Sequence, residues 1–117
     1  MNGTLLLVED EALILMDLEF AAEDAGYDYC AVRSVQAALE ALETRDIVAA
    51  VLDVNLGGGE TCVPIAEALS GRGIPYILHS GDLDRNDELV RTLDAELIKK
   101  PARSETVVER AMTLAAE

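Results

Sequence analysis

The chain is 117 residues long and carries 23 Asp and Glu against nine Lys and Arg, a formal net charge of −14. Half of its residues are apolar and the mean hydropathy is +0.18, enough burial to offset the entropy of ordering; disorder is excluded, and one domain spanning residues 1–117 is expected, too small for a large substrate lobe. The negative charge excludes direct binding to nucleic acid or to an anionic membrane surface, since both depend on clustered Lys and Arg.

Apolar periodicity alternates along the chain between short continuous runs and helical spacing, the pattern of βα units. Residues 4–8 are a near-continuous Leu and Val run, as in a strand covered on both faces. A helix over about 11–25 follows, with Ile14, Leu18, Ala21, Ala22 and Ala25 on one stripe and Gly26 placed for a left-handed stop. Residues 28–32 read as the second strand, Ser34 as an N-cap, and Val35, Ala38, Leu39 and Leu42 as the stripe of the second helix. Residues 47–54 are the most apolar run and are predicted as the central strand, and Gly57, Gly58 and Gly59 then break the chain. Cys62, Ile65, Ala66 and Leu69 mark a third helix; Pro64 falls in its first turn, where a missing N–H is harmless, and Gly71 and Gly73 end it.

Residues 75–80 read as a fourth strand, and a helix with Leu89, Val90 and Leu93 follows Asp84. Residues 96–99 are a short fifth strand, and a last helix begins near Ser104 with Val108, Ala111, Met112 and Ala115 along one side. Strict alternation with short connections and right-handed crossovers predicts a doubly wound α/β fold, a five-stranded parallel sheet with helices on both faces.

Cys30 and Cys62 fit neither a zinc-ligand spacing nor a CxxC pair and read as reduced thiols packed as small hydrophobes. The apolar residues 5–8 run straight into Glu9, Asp10 and Glu11, too short for a secretory signal, and no run approaches membrane-spanning length. A cytoplasmic protein is expected.

Ligands of an open parallel sheet bind at the carboxyl ends of its strands. Polar residues collect there: Glu9, Asp10 and Glu11 after the first strand, Asp53 at the end of the third, Ser80 closing the fourth and Lys100 after the fifth. If the first and third strands are neighbours, their ends lie about 5 Å apart and Asp10 meets Asp53. Two carboxylates about 4 Å apart repel by roughly 4 kcal/mol at an effective dielectric of 20, so such a cluster either raises a pKa or binds a cation. An all-oxygen set suits Mg²⁺. An aspartate beside that ion can act as a nucleophile toward phosphorus, with a Lys ammonium and a hydroxyl to neutralise the phosphoryl oxygens.

Glu9-Asp10, Val51-Leu52-Asp53, His79-Ser80-Gly81 and Lys100-Pro101, in this order at four strand ends, together resemble a bacterial response-regulator receiver (CheY-like) domain over the whole chain. The resemblance implies the flavodoxin-like strand order 2-1-3-4-5. It makes Asp53 the phosphoacceptor, Asp10 a direct Mg²⁺ ligand, Glu9 a ligand through water and the Asn55 carbonyl a further metal contact. Ser80, Lys100 and the Gly81 backbone would hold the phosphoryl oxygens. The implied phosphoryl source is a histidine kinase or a histidine phosphotransfer protein, and the implied output is an altered affinity for an unknown downstream protein. As a stand-alone receiver it would signal by protein–protein interaction rather than by enzymatic turnover on a substrate. The loop after Ser80, residues 81–85, is expected to carry the switch.

The chain departs from the family pattern in two places. The family usually carries an aromatic side chain in the strand before the lysine, and Ile98 is aliphatic. The loop after the phosphoacceptor often has a proline and a glycine where Gly57 and Thr61 stand, and the triple glycine gives that loop unusual backbone freedom. These departures motivate an alternative, a receiver-like interaction module that phosphorylation switches weakly. A Mg²⁺-dependent aspartyl phosphatase would use the same nucleophile and lysine but needs a second acid that Asp53-Val54-Asn55 does not supply. A flavodoxin would need to cradle a phosphate where Glu9-Asp10-Glu11 repels one. Taken alone, Glu9 and Asp10 are first-turn acids favouring a helix N-terminus, Lys99 is a solvated charge and His79 a packed or partly exposed imidazole. Asp53 resists such a reading, because an acid ending an apolar central strand has little structural reason to exist.

Overall fold

The computed structural model describes residues 3–81, 92–93 and 95–116. The elements are β1 (Thr4–Val8), α1 (Ala12–Asp24), β2 (Asp28–Val32), α2 (Val35–Thr44), β3 (Ile47–Asp53), α3 (Val63–Gly71), β4 (Tyr76–Ser80), β5 (Glu96–Lys99) and α4 (Ser104–Ala116). The helix expected after Asp84, with Leu89 and Val90, lies outside the described residues, as does most of the 81–85 loop. The five strands are all parallel in the order β2-β1-β3-β4-β5, as expected. Among the described residues no helix is long and apolar enough to cross a membrane.

Successive side chains of a strand point to opposite faces, and here both faces are covered. Leu5 and Leu7 of β1, Ala49 and Val51 of β3 and Ile77 of β4 pack against Leu15 and Leu18 of α1 and Val107, Val108 and Ala111 of α4. Leu6 and Val8, Ala50 and Leu52, and Leu78 pack the other way, against Ala38 and Leu42 of α2 and Ile65, Ala66 and Leu69 of α3. This two-sided burial is the reason the strands read as continuous apolar runs.

Local signals end the helices where the sequence places them. The Ser34 hydroxyl accepts the Ala37 N–H at 3.2 Å and caps α2, a bond typically contributing about 1 kcal/mol. Gly26 stops α1 at φ +82°. Two details differ from the expected stripes. Leu15 joins the buried face of α1, while Ala25, which caps that helix, is exposed. Val107 adds a fully buried side chain to α4. Leu13, Met16 and Phe20 project from the outer side of α1 into solvent.

Leu6→Ala leaves a hole between β1 and the α2–α3 layer and is expected to cost about 2–5 kcal/mol, whereas Leu13→Ala on the outer side of α1 stays within about 0.5 kcal/mol. Urea unfolding midpoints of the two variants measure the contrast.

Candidate functional site

The strand register assembles the site. Val8, the last residue of β1, pairs with Leu52, so Glu9 and Asp53 emerge side by side from neighbouring strands. Glu9 is 1% exposed and Asp53 6%. Glu9 remains tied to the sheet through its N–H, which donates to the Val32 carbonyl at 3.2 Å, and its Oε2 accepts the Glu11 N–H at 3.2 Å ahead of α1. Carboxylate oxygens of Glu9, Asp10 and Asp53 lie within 4.8 Å of one another. Lys100 reaches back across β4 from the far side of the sheet, placing Nζ 3.0 Å from Glu9 Oε1 and 3.6 Å from Asp53 Oδ1. The meeting of Asp10 with Asp53 and the long reach of Lys100 agree with the sequence reading. The tighter contact of Lys100 with Glu9 does not follow from it.

One ammonium against three carboxylates leaves the cluster negative, and its donors are all hard oxygens, so these residues fit a divalent cation such as Mg²⁺. Burial lifts the Asp53 carboxyl far above the usual range, to about 8; the adjoining Glu9, by hydrogen bond and by charge, adds to the rise, as does a hydrogen bond with Asp10, while Lys100 opposes it. Without a cation, Asp53 therefore tends to keep its proton.

Ser80 closes β4, is buried, and its carbonyl accepts the Lys100 N–H at 2.9 Å. Gly81 packs directly on the lysine; a Cβ there would lie 3.5 Å from Lys100 Cβ. Asn55 pairs with Thr61 in an isolated antiparallel bridge that closes the 55–61 turn. Inside this turn the Leu56 N–H donates to the Glu60 carbonyl and the Glu60 N–H to the Gly57 carbonyl, both at 2.9 Å. The backbone freedom of the three glycines is spent on consecutive left-handed conformations, φ +81°, +58° and +82° at Gly57, Gly58 and Gly59.

His79 pairs with Asp53 on one side and with Ile98 on the other. Its side chain is buried and both ring nitrogens lack a hydrogen-bond partner. Burial, helped by the Lys100 charge, pushes the imidazole down to about 4, so it is neutral. The packed form of the expected reading is the one realised. Ile98 is half-buried against the α1–α4 layer. Burial and the Asp53 charge push the Cys62 thiol up to about 12, leaving it an inert core residue.

Two contributors escape the sequence reading. Gly57 sits so close to the metal-ligand candidate Asp10 that a Cβ would come 3.0 Å from its Oδ2; the signal was a glycine in a loop known to face the site. Arg33 donates from Nη2 to the Asp10 carbonyl at 2.7 Å; the signal was a polar residue following the second strand, the same placement that singles out Lys100.

Removing one member of the buried carboxylate cluster should stabilise the metal-free protein. A carboxyl whose pKa is higher folded than unfolded withdraws stability as the pH rises from the unfolded value of 3.8 to the folded value of about 8. Asp53→Asn is thus expected to gain roughly 1–3 kcal/mol near neutral pH, the gain fading toward acid, in urea titrations without divalent metal. His79, the one histidine of the chain, should show an imidazole NMR titration near pH 4 instead of 6.5. A group held neutral in this way costs stability as the pH falls from 6.5 toward 4.

The sequence matches no family model and no curated protein. Its fold is matched closely by solved structures. A response regulator receiver protein from Sinorhizobium medicae WSM419 superposes with a TM-score of 0.84 at 26% identity, covering 97% of this chain and 94% of that one. A CheY-like receiver domain protein from Methanospirillum hungatei JF-1 gives a TM-score of 0.83 at 22% identity, covering 99% and 95%. SdrG from Sphingomonas melonis Fr1 is 38% identical with a TM-score of 0.79, covering 98% and 97%. With the 2-1-3-4-5 sheet, the acidic cluster at its carboxyl edge and these likenesses over nearly its whole length, the chain belongs to the response-regulator receiver (CheY-like) family.

Proposed function

We propose that this receiver accepts a phosphoryl group on Asp53 from a histidine kinase or a histidine phosphotransfer protein and, once modified, changes its affinity for a downstream protein. The observation that carries the reading is the juxtaposition at one sheet edge of three acidic side chains within 4.8 Å with an ammonium 3.6 Å from Asp53. Asp53 Oδ forms a bond to phosphorus while the bond from phosphorus to the donor breaks, and the leaving group departs with the bonding pair. Lys100 offers its charge to a phosphoryl oxygen beside Asp53, and the Ser80 hydroxyl and the Gly81 backbone, on the adjoining strand end, serve the other oxygens.

Asp10, Asp53, the Asn55 carbonyl and, through water, Glu9 are the residues assigned to Mg²⁺. When bound, that ion supplies positive charge that permits Asp53 to stay ionised and offsets the charge of the transferred group. The Lys100 ammonium, 3.0 Å from Glu9 and 3.6 Å from Asp53, has three N–H donors, so one can turn to a phosphoryl oxygen on Asp53. The function is that of a switch, not of an enzyme with a diffusing substrate, and it fits the cytoplasm, where such donors are found.

Incubation with acetyl phosphate and Mg²⁺ should add one phosphoryl mass to the protein by intact mass spectrometry, and Asp53→Asn should abolish the adduct. Chelation of the metal should slow the wild-type reaction at least tenfold, about what loss of one electrostatic stabiliser costs. An adduct of equal yield on the Asp53→Asn protein overturns the assignment.

A further inference from the structure

Besides Lys100, the carboxyl edge of the sheet carries cations that the phosphoacceptor reading does not use: Lys99, exposed at the end of β5, and Arg33. Arg33 follows β2, whose Val32 pairs with Val8 of β1. Across the edge, the acids after β1 and at the end of β3 are therefore flanked by Arg33 on one side and Lys100 on the other. The two cations differ in state. Lys100 is largely buried and already engaged by Glu9 and Asp53. Arg33 is exposed, and its bond reaches the main-chain carbonyl of Asp10, an uncharged acceptor.

That choice of partner is informative in a chain with 23 acidic residues. Arg72, Arg103 and Arg110 pair with Glu43, Glu105 and Glu96. Among the described residues, no carboxylate pairs with Arg33, nor with Arg45 or Lys99; of these three, it is Arg33 that bonds the main chain of a site acid. The carbonyl bond ties its guanidinium to the Asp10 main chain at the carboxyl edge, next to the acidic cluster, without a direct ion pair to any one carboxylate. A guanidinium has five N–H donors arranged to meet phosphate oxygens. The bond to Asp10 uses one.

We propose that Arg33 is the donor-binding residue of this receiver, holding an anionic oxygen of the incoming phosphoryl donor at the rim while Asp53 attacks. The inference rests on the Asp53 reading. It answers a problem that the charge creates: a domain of net charge −14 repels a phosphorylated donor, and a fixed cation at the entrance restores a local attraction. Arg33 makes and breaks no bond in the transfer. With acetyl phosphate, the Asp53 Oδ–P bond forms, the donor's P–O bond breaks and acetate leaves with the electron pair. Because the contact is electrostatic, it favours donors with more negative charge on phosphorus.

Arg33→Gln removes the charge but keeps a polar, shorter side chain, whereas Arg33→Lys keeps the charge. Second-order phosphorylation rates are measured with acetyl phosphate and with phosphoramidate, which carries less net negative charge, and Mg²⁺ affinity is measured calorimetrically on the unmodified proteins. The expected result is a loss of about tenfold with acetyl phosphate for Arg33→Gln, a smaller loss with phosphoramidate, near wild-type rates for Arg33→Lys, and Mg²⁺ binding that is unchanged or tighter. Wild-type rates for Arg33→Gln with both donors overturn the proposal. So does an equal loss with both donors accompanied by weaker Mg²⁺ binding, since that would make Arg33 a prop for the Asp10 turn. A wild-type protein that gains no phosphoryl group from either donor overturns the Asp53 reading itself, and this inference with it.

Discussion

Three carboxylates crowd around one ammonium where the central strands end, and the rest of the molecule has to hold them there. The arrangement is locally costly, since Glu9 and Asp53 are nearly inaccessible to water and one lysine cannot neutralise three acids. Burial of Leu5, Leu6, Leu7 and Leu52 on the two faces of the same strands offsets that cost and fixes the register that brings Glu9 beside Asp53. A one-residue slip of β1 against β3 would exchange the faces of Leu6 and Leu7 and carry Glu9 away from Asp53. Core packing and site geometry are therefore one constraint.

The same edge explains the state of its neighbours. His79 lies between Asp53 and Ile98 in a layer with no polar partner for its ring, close to the charge of Lys100. It is neutral because an imidazolium there would face both burial and a like charge. Cys62, at the start of α3, is held protonated by burial and by the Asp53 carboxylate. Burial thus holds His79 and Cys62 uncharged around the edge, and in the absence of a cation the same burial favours the protonated form of Asp53 within it.

Most of the fold was legible because both sheet faces are buried, so each strand announces itself as a continuous apolar run. The bounds of β1, β2 and β5 agree residue for residue with that reading, and β3 and β4 differ by one residue at one end. The inner face of α1 was less legible. Half of its buried positions are alanine, and Leu13, Met16 and Phe20 on the outer side blur the amphipathic contrast, so Leu15 was missed. At the edge, residue type and strand end sufficed to bring Glu9, Asp10, Asp53 and Lys100 together. Strand spacing does not encode side-chain length, and the extra methylene of glutamate at position 9 is what lets Lys100 settle closer to it than to Asp53. Arg33 joins the site by bonding the main-chain carbonyl of Asp10 and Gly57 by lacking a Cβ, and residue chemistry alone does not advertise such roles.

The turn after Asp53 also limits how this chain can drift toward its relatives. Proline holds φ near −65°, on the opposite side of the map from the +81° of Gly57, so the proline common at that position elsewhere in the family cannot be installed here by a single codon change. Any other side chain there would press on Asp10 as well. Gly58 and Gly59 meet open space and are held only by their left-handed φ, so the tie between this turn and the acidic cluster runs through Gly57 alone, the position where backbone shape and ligand placement are inherited together.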